Sequence, residues 1–141
     1  MSKINVGRVL LGGLIAGLVM NIGEFILNGV LFAKEIEEAN RKLNLPPPSG
    51  NFIAVAVILM FLVGIAAVYL YAAIRPRFSP GVKTAICAGL IVWFLAFFIP
   101  SVLYTALGVN PVGLTVKGLI WELIEIPLGT IVGAWLYKEA E

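Results

Sequence analysis

The sequence predicts an all-α, polytopic membrane protein: a single domain, residues 1–141, that is a bundle of four transmembrane helices. Hydrophobic residues make up 60% of the chain and charged residues 13%, against roughly 25% charged residues in ordinary soluble domains. The apolar residues form four blocks, each as long as the roughly 20 residues that span a bilayer core. These blocks are residues 9–32, 52–74, 84–107 and 118–137.

The first block is expected to stay in the mature protein as a signal-anchor. It is longer than the apolar core of a cleaved signal peptide. It also ends in Leu31, Phe32, Ala33 and Lys34 rather than at a small-residue cleavage site.

The composition excludes several kinds of chemistry. Cys87 is the only cysteine and histidine is absent. An intrachain disulfide and a thiolate metal cluster are therefore excluded. The usual haem and zinc ligands and the usual general base near neutral pH are also missing. We expect no metal site, no cofactor and no enzymatic activity.

The positions of Lys and Arg predict the orientation, because short cytoplasmic loops have an excess of these residues. Six lie on the side of the termini and four on the other side, which favours cytoplasmic termini. The six are Lys3, Arg8, Arg75, Arg77, Lys83 and Lys138, and the four are Lys34, Arg41, Lys42 and Lys117. We interpret the basic turn of Arg75, Arg77 and Lys83 as a topology signal. The alternative is that it binds anionic lipid headgroups.

Turn signals predict where the spans end. The second helix is expected to end near Ile74, before Pro76. Ser79 before Pro80 is typical of an N-cap, so the third helix is expected to begin there. Spans two and three then form an antiparallel hairpin. The uncharged segment 108–116 is predicted to be a loop in the headgroup region.

The first connection is predicted to contain a helix. Two acid–base pairs four residues apart support it, and they are Glu37 with Arg41 and Glu38 with Lys42. The helix should stop at residues 44–48, Asn-Leu-Pro-Pro-Pro. A weak similarity of residues 12–15 to residues 87–91, and of residues 69–71 to residues 135–137, indicates that the bundle could be two tandem helical hairpins.

Two spans have a stripe of small and polar residues at steps of three and four, which places each stripe on one helix face. The stripes are Gly13, Gly17, Asn21, Glu24 and Asn28 in span one, and Gly118, Glu122, Glu125, Gly129 and Gly133 in span four. Small residues let helices approach closely and polar residues bond across the contact. Because a charge in hydrocarbon costs about 3 kcal/mol, the glutamates should face the bundle interior.

The depth of the glutamates predicts an intramembrane polar or ion site. Glu24 lies eight residues before the end of its block, and Glu125 lies eight residues after Lys117. At 1.5 Å per residue, both are roughly 12 Å inside the same membrane face. We expect Glu24, Glu125 and Asn21 to meet, with Glu122 one turn closer to water. No Lys or Arg within the blocks neutralises them unless Lys117 reaches inward.

Two prolines should free backbone carbonyl groups inside the spans. Pro127 leaves the carbonyl of Leu123 without its helical partner, and Pro100 does the same for Ala96. Such a carbonyl could bind a cation or water only if it faces a cavity.

Several segments resemble a group of uncharacterised bacterial four-span membrane proteins. They are residues 21–25 (Asn-Ile-Gly-Glu-Phe) with Asn28, residues 71–78 (Tyr-Ala-Ala-Ile-Arg-Pro-Arg-Phe) and residues 80–85 (Pro-Gly-Val-Lys-Thr-Ala). The resemblance covers most of the chain. It implies a bacterial inner-membrane location and a four-helix fold, and it brings no known activity and no functional residues.

Three functions remain open. The favoured one is a non-enzymatic accessory or structural subunit, which forms a homo-oligomer or joins a larger membrane complex, with lipid and protein partners and no nucleic acid. The alternative is a small proton or cation transporter or channel that uses the intramembrane carboxyl groups. A lipid-modifying enzyme is weakest, since no nucleophile, metal motif or phosphate-binding loop accompanies the glutamates.

Overall fold

A computed structural model of the chain describes residues 3–140, which fold into six α-helices and two π-helical segments. The α-helices are α1 (Val6–Ile26), α2 (Ala33–Lys42), α3 (Gly50–Phe78), α4 (Val82–Trp93), α5 (Ile99–Ala106) and α6 (Val112–Trp135). The π-helical segments are Leu27–Leu31 and Phe94–Phe98. Joined end to end, they form four helical spans long and apolar enough to cross a membrane: Val6–Leu31, Gly50–Phe78, Val82–Ala106 and Val112–Trp135. The predicted all-α, four-span fold is confirmed.

The turn between α3 and α4 differs from the prediction. α3 does not end near Ile74 but continues through Pro76 to Phe78. Proline is tolerated there because only one backbone hydrogen bond is lost so close to the helix end. Ser79 is not the N-cap of α4, because its φ of 69° places it in the left-handed region that ends a helix. α4 begins two residues later than predicted, after Gly81.

The connection between spans one and two was predicted better than the connection between spans three and four. The predicted helix in the first connection is α2, and Glu38 lies 3.8 Å from Lys42 within it. The segment 108–116 is only partly a loop, because α6 begins at Val112 instead of residue 118. Pro111 sets the N-terminus of α6, and its carbonyl accepts the backbone N–H of Thr115 at 3.0 Å.

The four spans pack as a ring in which α1 contacts α3 and α6, and α4 contacts the same two helices. Both ends of the described chain lie at one end of this ring, called the terminal end below. There the backbone N–H of Asn5 donates to the hydroxyl of Tyr137 at 3.3 Å, and Arg75 lies 3.8 Å from Glu139. The opposite end holds α2 and the connection from α5 to α6, and is called the α2 end.

Glycine pairs bring α1 and α6 into close contact towards the terminal end. A Cβ atom on Gly133 would lie 2.5 Å from the carbonyl oxygen of Gly12, and one on Gly129 would lie 3.1 Å from the carbonyl oxygen of Ala16. Only glycine allows backbones to approach this closely. Gly129 and Gly133 therefore pack against α1.

The glycines of the span-one stripe pack against α3. A Cβ atom on Gly13 would lie 2.5 Å from Cα of Ile65, and one on Gly17 would lie 2.7 Å from Cα of Phe61. Both contacts are with α3. Gly12, which contacts α6, lies one residue before Gly13 and on a neighbouring face of α1.

Candidate functional site

Glutamates from two antiparallel spans meet inside the bundle. The carboxylate of Glu125 on α6 lies against Gly23 of α1, which is the residue before Glu24. Glu24 and Glu122 line the same cavity, and Glu122 precedes Glu125 by about one turn of α6. These three residues are called the carboxyl cluster below. The structure thus brings together the span-one and span-four carboxyl groups that the matched depth singled out.

Two residues that the sequence analysis did not select position Glu125. The indole N–H of Trp121 donates to Oε2 of Glu125 at 2.5 Å, and Glu125 is only 6% exposed. A Cβ atom at Gly23 would collide with this carboxyl group, so a larger residue there would force the side chain of Glu125 to shift. The only signal for Trp121 was its position one helical turn before Glu125. No sequence signal pointed to Gly23, because its role depends on its contact with Glu125 of α6.

Asn28 orients Glu24 from the adjoining π-helical segment. Its side-chain amide donates to Oε2 of Glu24 at 2.7 Å and to the backbone carbonyl of Glu24 at 2.9 Å. Asn28 lies in Leu27–Leu31, where the helix widens. π-Helical turns of this kind are frequent at functional sites.

Asn21 does not join the carboxyl cluster. Its side-chain amide donates to the carbonyl of Gly17 at 2.9 Å and to the carbonyl of Val57 on α3 at 3.3 Å. The expected contact with Glu125 was wrong because the stripe of span one faces α3 over its first half. Asn21 belongs to that part of the stripe.

Lys117 does not reach inward to neutralise the cluster. Its ammonium group lies 2.9 and 3.0 Å from the carboxylate oxygens of Glu35 on α2 and 5.2 Å from the ring centre of Phe32. Within residues 3–140, no Lys or Arg side chain forms a salt bridge with the carboxyl cluster.

Each carboxyl group of the cluster has one oxygen that is buried and unpartnered. Four buried side-chain polar atoms lack a hydrogen-bond partner in the described part of the chain, and three of them belong to the cluster. They are Oε1 of Glu24, Oε2 of Glu122 and Oε1 of Glu125. Buried polar atoms are nearly always hydrogen-bonded, so these three oxygens are exceptions that mark the cluster.

A half-enclosed cavity of about 250 Å³ connects two of these glutamates with the α2 end. Residues of α1 and α6 line the cavity from the α2 end inwards, and the deepest of them are Glu24 and Glu122. Polar side chains of Asn28, Ser101 and Asn110 also line it. Ser101 and Asn110 were not predicted, since they join the site only through the packing of α5 beside α6.

The two prolines inside the spans have separate structural effects. Pro100 follows the second π-helical segment, in which the backbone N–H of Ile99 bonds to the carbonyl of Phe94, five residues earlier. Pro127 is buried against α4, where a Cβ atom on Gly89 would lie 2.6 Å from its Cα. Pro100 thus begins the helix that supplies Ser101, and Pro127 contributes to packing.

The basic turn lies at the terminal end, far along the spans from the carboxyl cluster. Arg75 stacks over the ring of Tyr137 at 5.4 Å, and Tyr137 in turn makes an edge contact with Tyr71 at 6.0 Å. Arg77 and Lys83 are exposed. Arg75 therefore joins α3 to the segment that follows α6, and the other two basic residues remain accessible.

The fold and the site define an all-α protein with four helices able to cross a membrane and a carboxyl-lined cavity between them. Comparisons of the chain with protein-family models, with curated proteins and with solved structures find no match.

Proposed function

We propose that this protein is a multi-pass protein of the bacterial inner membrane, with both termini cytoplasmic, that takes a proton or another positively charged species into its carboxyl cavity. It acts as a small transporter or channel and not as an enzyme. The single observation behind this proposal is the set of three buried, unpartnered carboxyl oxygens, two of them on residues that line a cavity without a basic side chain.

The location of these oxygens favours a binding role over a purely structural one. Polar side chains that only join helices bond across the helix contact. Here Oε1 of Glu24 and Oε2 of Glu122 have no hydrogen-bond partner, and both residues line a cavity. Ionisable residues inside a membrane are expensive and are typical of ion pathways and proton relays.

The packing supports access from one side. The cavity reaches the α2 end, whereas the glycine contacts between α1 and α6 leave no room on the way to the terminal end. With cytoplasmic termini, a ligand enters from the outer face. Passage to the other face requires α1 and α6 to move apart at Gly12 and Gly133.

Flux measurements with purified protein in liposomes test the proposal. We expect proton or cation flux in the wild type, and a loss of that flux in Glu24→Gln and Glu122→Gln. Glu37→Gln is the matched control, because Glu37 is exposed on α2 and does not line the cavity. Flux that is equal in all four proteins would refute the proposal.

The orientation has its own test. In a Cys87→Ser background, Lys138→Cys and Asn110→Cys each place one thiol at opposite ends of the bundle. We expect a membrane-impermeant maleimide to label the second and not the first in intact cells. The reverse pattern would invert the orientation and place the cavity mouth on the cytoplasmic side.

An accessory subunit or a homo-oligomer is a second candidate, favoured by the first part of α3. Every residue from 51 to 59 is exposed, including Phe52 at 62% and Ile58 at 59%. A partner helix could cover this segment, although lipid covers apolar side chains equally well. Gentle purification from native membranes with mass spectrometry tests this function, and stoichiometric co-purifying subunits would support it.

A further inference from the structure

We infer that the outer side of α4 binds one anionic phospholipid, with its phosphate at Lys83 and Arg77 and one acyl chain along the helix. The site lies at the terminal end, so the inference goes beyond the proposed function and does not depend on the carboxyl cluster. It stands on an apolar groove that begins at Lys83 and on a turn with two unpaired positive charges.

The groove lies on the side of α4 that faces away from the bundle. The opposite side of this helix is buried at Ala85, Ala88 and Gly89. The groove has a volume of about 530 Å³, and Lys83 is its only charged residue. The rest of its lining is apolar: Ile86, Cys87, Leu90, Ile91, Phe94 and Leu95. In a membrane, this surface is in contact with lipid.

The groove has the length of one leaflet of a bilayer. From Lys83 to Leu95 the helix rises by about 18 Å, at about 1.5 Å per residue. The hydrocarbon core is about 30 Å thick, so each leaflet contributes about 15 Å. An acyl chain that begins at the membrane surface beside Lys83 therefore lies in the groove as far as the middle of the bilayer.

The turn between α3 and α4 brings the two basic residues close together. The hydroxyl oxygen of Thr84 lies 2.6 Å from the carbonyl oxygen of Ser79 and 3.1 Å from that of Phe78. Thr84 follows Lys83 and Phe78 follows Arg77, so this contact joins the backbone segments of both basic residues. Both side chains are exposed. A phosphate group at the mouth of the groove is therefore accessible to two cations.

The positive charge of this turn is uncompensated. Within residues 3–140, Arg75 is the only basic residue of the turn that forms a salt bridge, and its partner is Glu139 at 3.8 Å. Residues 75–83 contain no acid. Basic residues at the membrane surface attract anionic headgroups. Arg77 and Lys83 thus favour an anionic lipid over a neutral one.

The same charge favours a lipid over a second copy of the chain. Most homodimers have twofold symmetry, so the same patch of each copy lies in the contact. Two copies with the same membrane orientation, joined through α4, would bring the two Lys83 side chains towards each other. Like charges across a contact are unfavourable. A phosphate neutralises these charges, so the groove fits a phospholipid better.

Native mass spectrometry of the full chain in detergent, titrated with phosphatidylglycerol or with phosphatidylcholine, tests the inference. We expect one phosphatidylglycerol molecule to bind about 25-fold more tightly than phosphatidylcholine. Arg77→Gln and Lys83→Gln should each weaken its binding by about fivefold, the equivalent of about 1 kcal/mol per basic residue. The matched control is Arg41→Gln, because Arg41 is exposed on α2 at the opposite end. It should bind like the wild type.

A second pair of variants distinguishes a groove from a surface charge alone. Leu90 lines the groove and is 39% exposed, and Leu90→Trp should fill the space and weaken phosphatidylglycerol binding. Ile58→Trp is the control, because Ile58 is 59% exposed on α3 and lies outside the groove. Glycerol phosphate, the soluble headgroup, should not displace the lipid, because it has no acyl chain.

Three results would overturn the inference. The first is equal binding of phosphatidylglycerol and phosphatidylcholine, or phosphatidylglycerol binding that Leu90→Trp leaves unchanged. The second is displacement by glycerol phosphate, which would identify a soluble phosphate as the ligand. The third is oxidative cross-linking of Cys87 between two copies in membranes, which would place a second copy in the groove. We expect no such cross-link.

Discussion

The two ends of the bundle use the same pair of helices, α1 and α6, in opposite ways. Towards the terminal end, glycines face each other at Gly12 and Gly133 and the backbones touch. Towards the α2 end, the same helices present Glu24 and Glu122 to a cavity. The terminal end is closed by small residues, whereas at the α2 end the helices leave a cavity lined by two glutamates, each with one unpartnered oxygen.

The difference shows how a small bundle can hold an unfavourable site. Without a hydrophobic driving force in lipid, close packing of small residues is a main source of helix association. The glycine contacts stabilise the bundle and can offset the burial of the carboxyl cluster. Functional sites commonly reduce stability in this way. Substitutions at the two ends should therefore differ in sign and in the property they change.

The largest loss of stability is expected at the closed part of the bundle. A Cβ atom on Gly64 would collide with backbone atoms of Gly13 and Gly17. We expect Gly64→Ala to lower the free energy of unfolding by about 1–3 kcal/mol, because a helix must shift. Circular dichroism during thermal unfolding in detergent measures this effect.

The matched control for that substitution is Gly113→Ala. Nothing lies within 4 Å of a Cβ atom at Gly113. Alanine is also a better helix former by about 1 kcal/mol. We expect stability to be unchanged or slightly higher. Equal losses for Gly64→Ala and Gly113→Ala would contradict the close packing of α1 and α3.

The opposite sign is expected at the carboxyl cluster. Replacing Glu122 with Met removes a carboxyl group whose Oε2 is buried and unpartnered. We expect Glu122→Met to leave the unfolding free energy unchanged or to raise it by up to about 1–3 kcal/mol. It should also abolish ligand binding and flux. Reduced stability in the same thermal assay would instead favour a structural role for this glutamate.

A smaller effect is expected for Asn21, which lies on α1 between the glycine contacts and the carboxyl cluster. Asn21→Leu removes the interhelical bond to Val57, so we expect a loss of about 0.6–1.7 kcal/mol in stability and unchanged binding. Asn28→Leu should weaken binding, because Asn28 orients Glu24. Paired measurements of stability and of ligand binding distinguish them. Weaker binding in Asn21→Leu would show that Asn21 belongs to the carboxyl cluster.

The smallest effect is expected for the ion pair between α2 and α6. Lys117 and Glu35 are 48% and 47% exposed, so water and salt screen their attraction. A double-mutant cycle with Lys117→Met and Glu35→Gln should give a coupling energy of at most about 1 kcal/mol that falls at high salt. Hydrogen exchange in α2 should rise in both variants. A coupling energy that is insensitive to salt would contradict this account.

Local features of the chain were sufficient to predict the elements and the kinds of residue in the site. Long apolar blocks predict spans because the bilayer thickness fixes the helix length. The spacing of Glu24 and Glu125 from the ends of their spans predicted that they lie at one depth, and the structure places them side by side. The helix ends at the turn between α3 and α4 were predicted less well. Residues such as Pro76 and Ser79 can lie either at the end of one helix or at the start of the next.

Only the tertiary structure decided which face of each helix meets which neighbour. Gly12 and Gly13 are adjacent in sequence, yet one packs against α6 and the other against α3. A stripe at steps of three and four defines a face but does not name its partner. For the same reason, Asn21 was predicted in the site but lies outside it, and Gly23, Ser101 and Asn110 were not predicted. The sequence by itself determined the four spans and their buried charges, since length and chemistry are local properties. The cavity depends on contacts between distant segments, so it exists only in the folded chain.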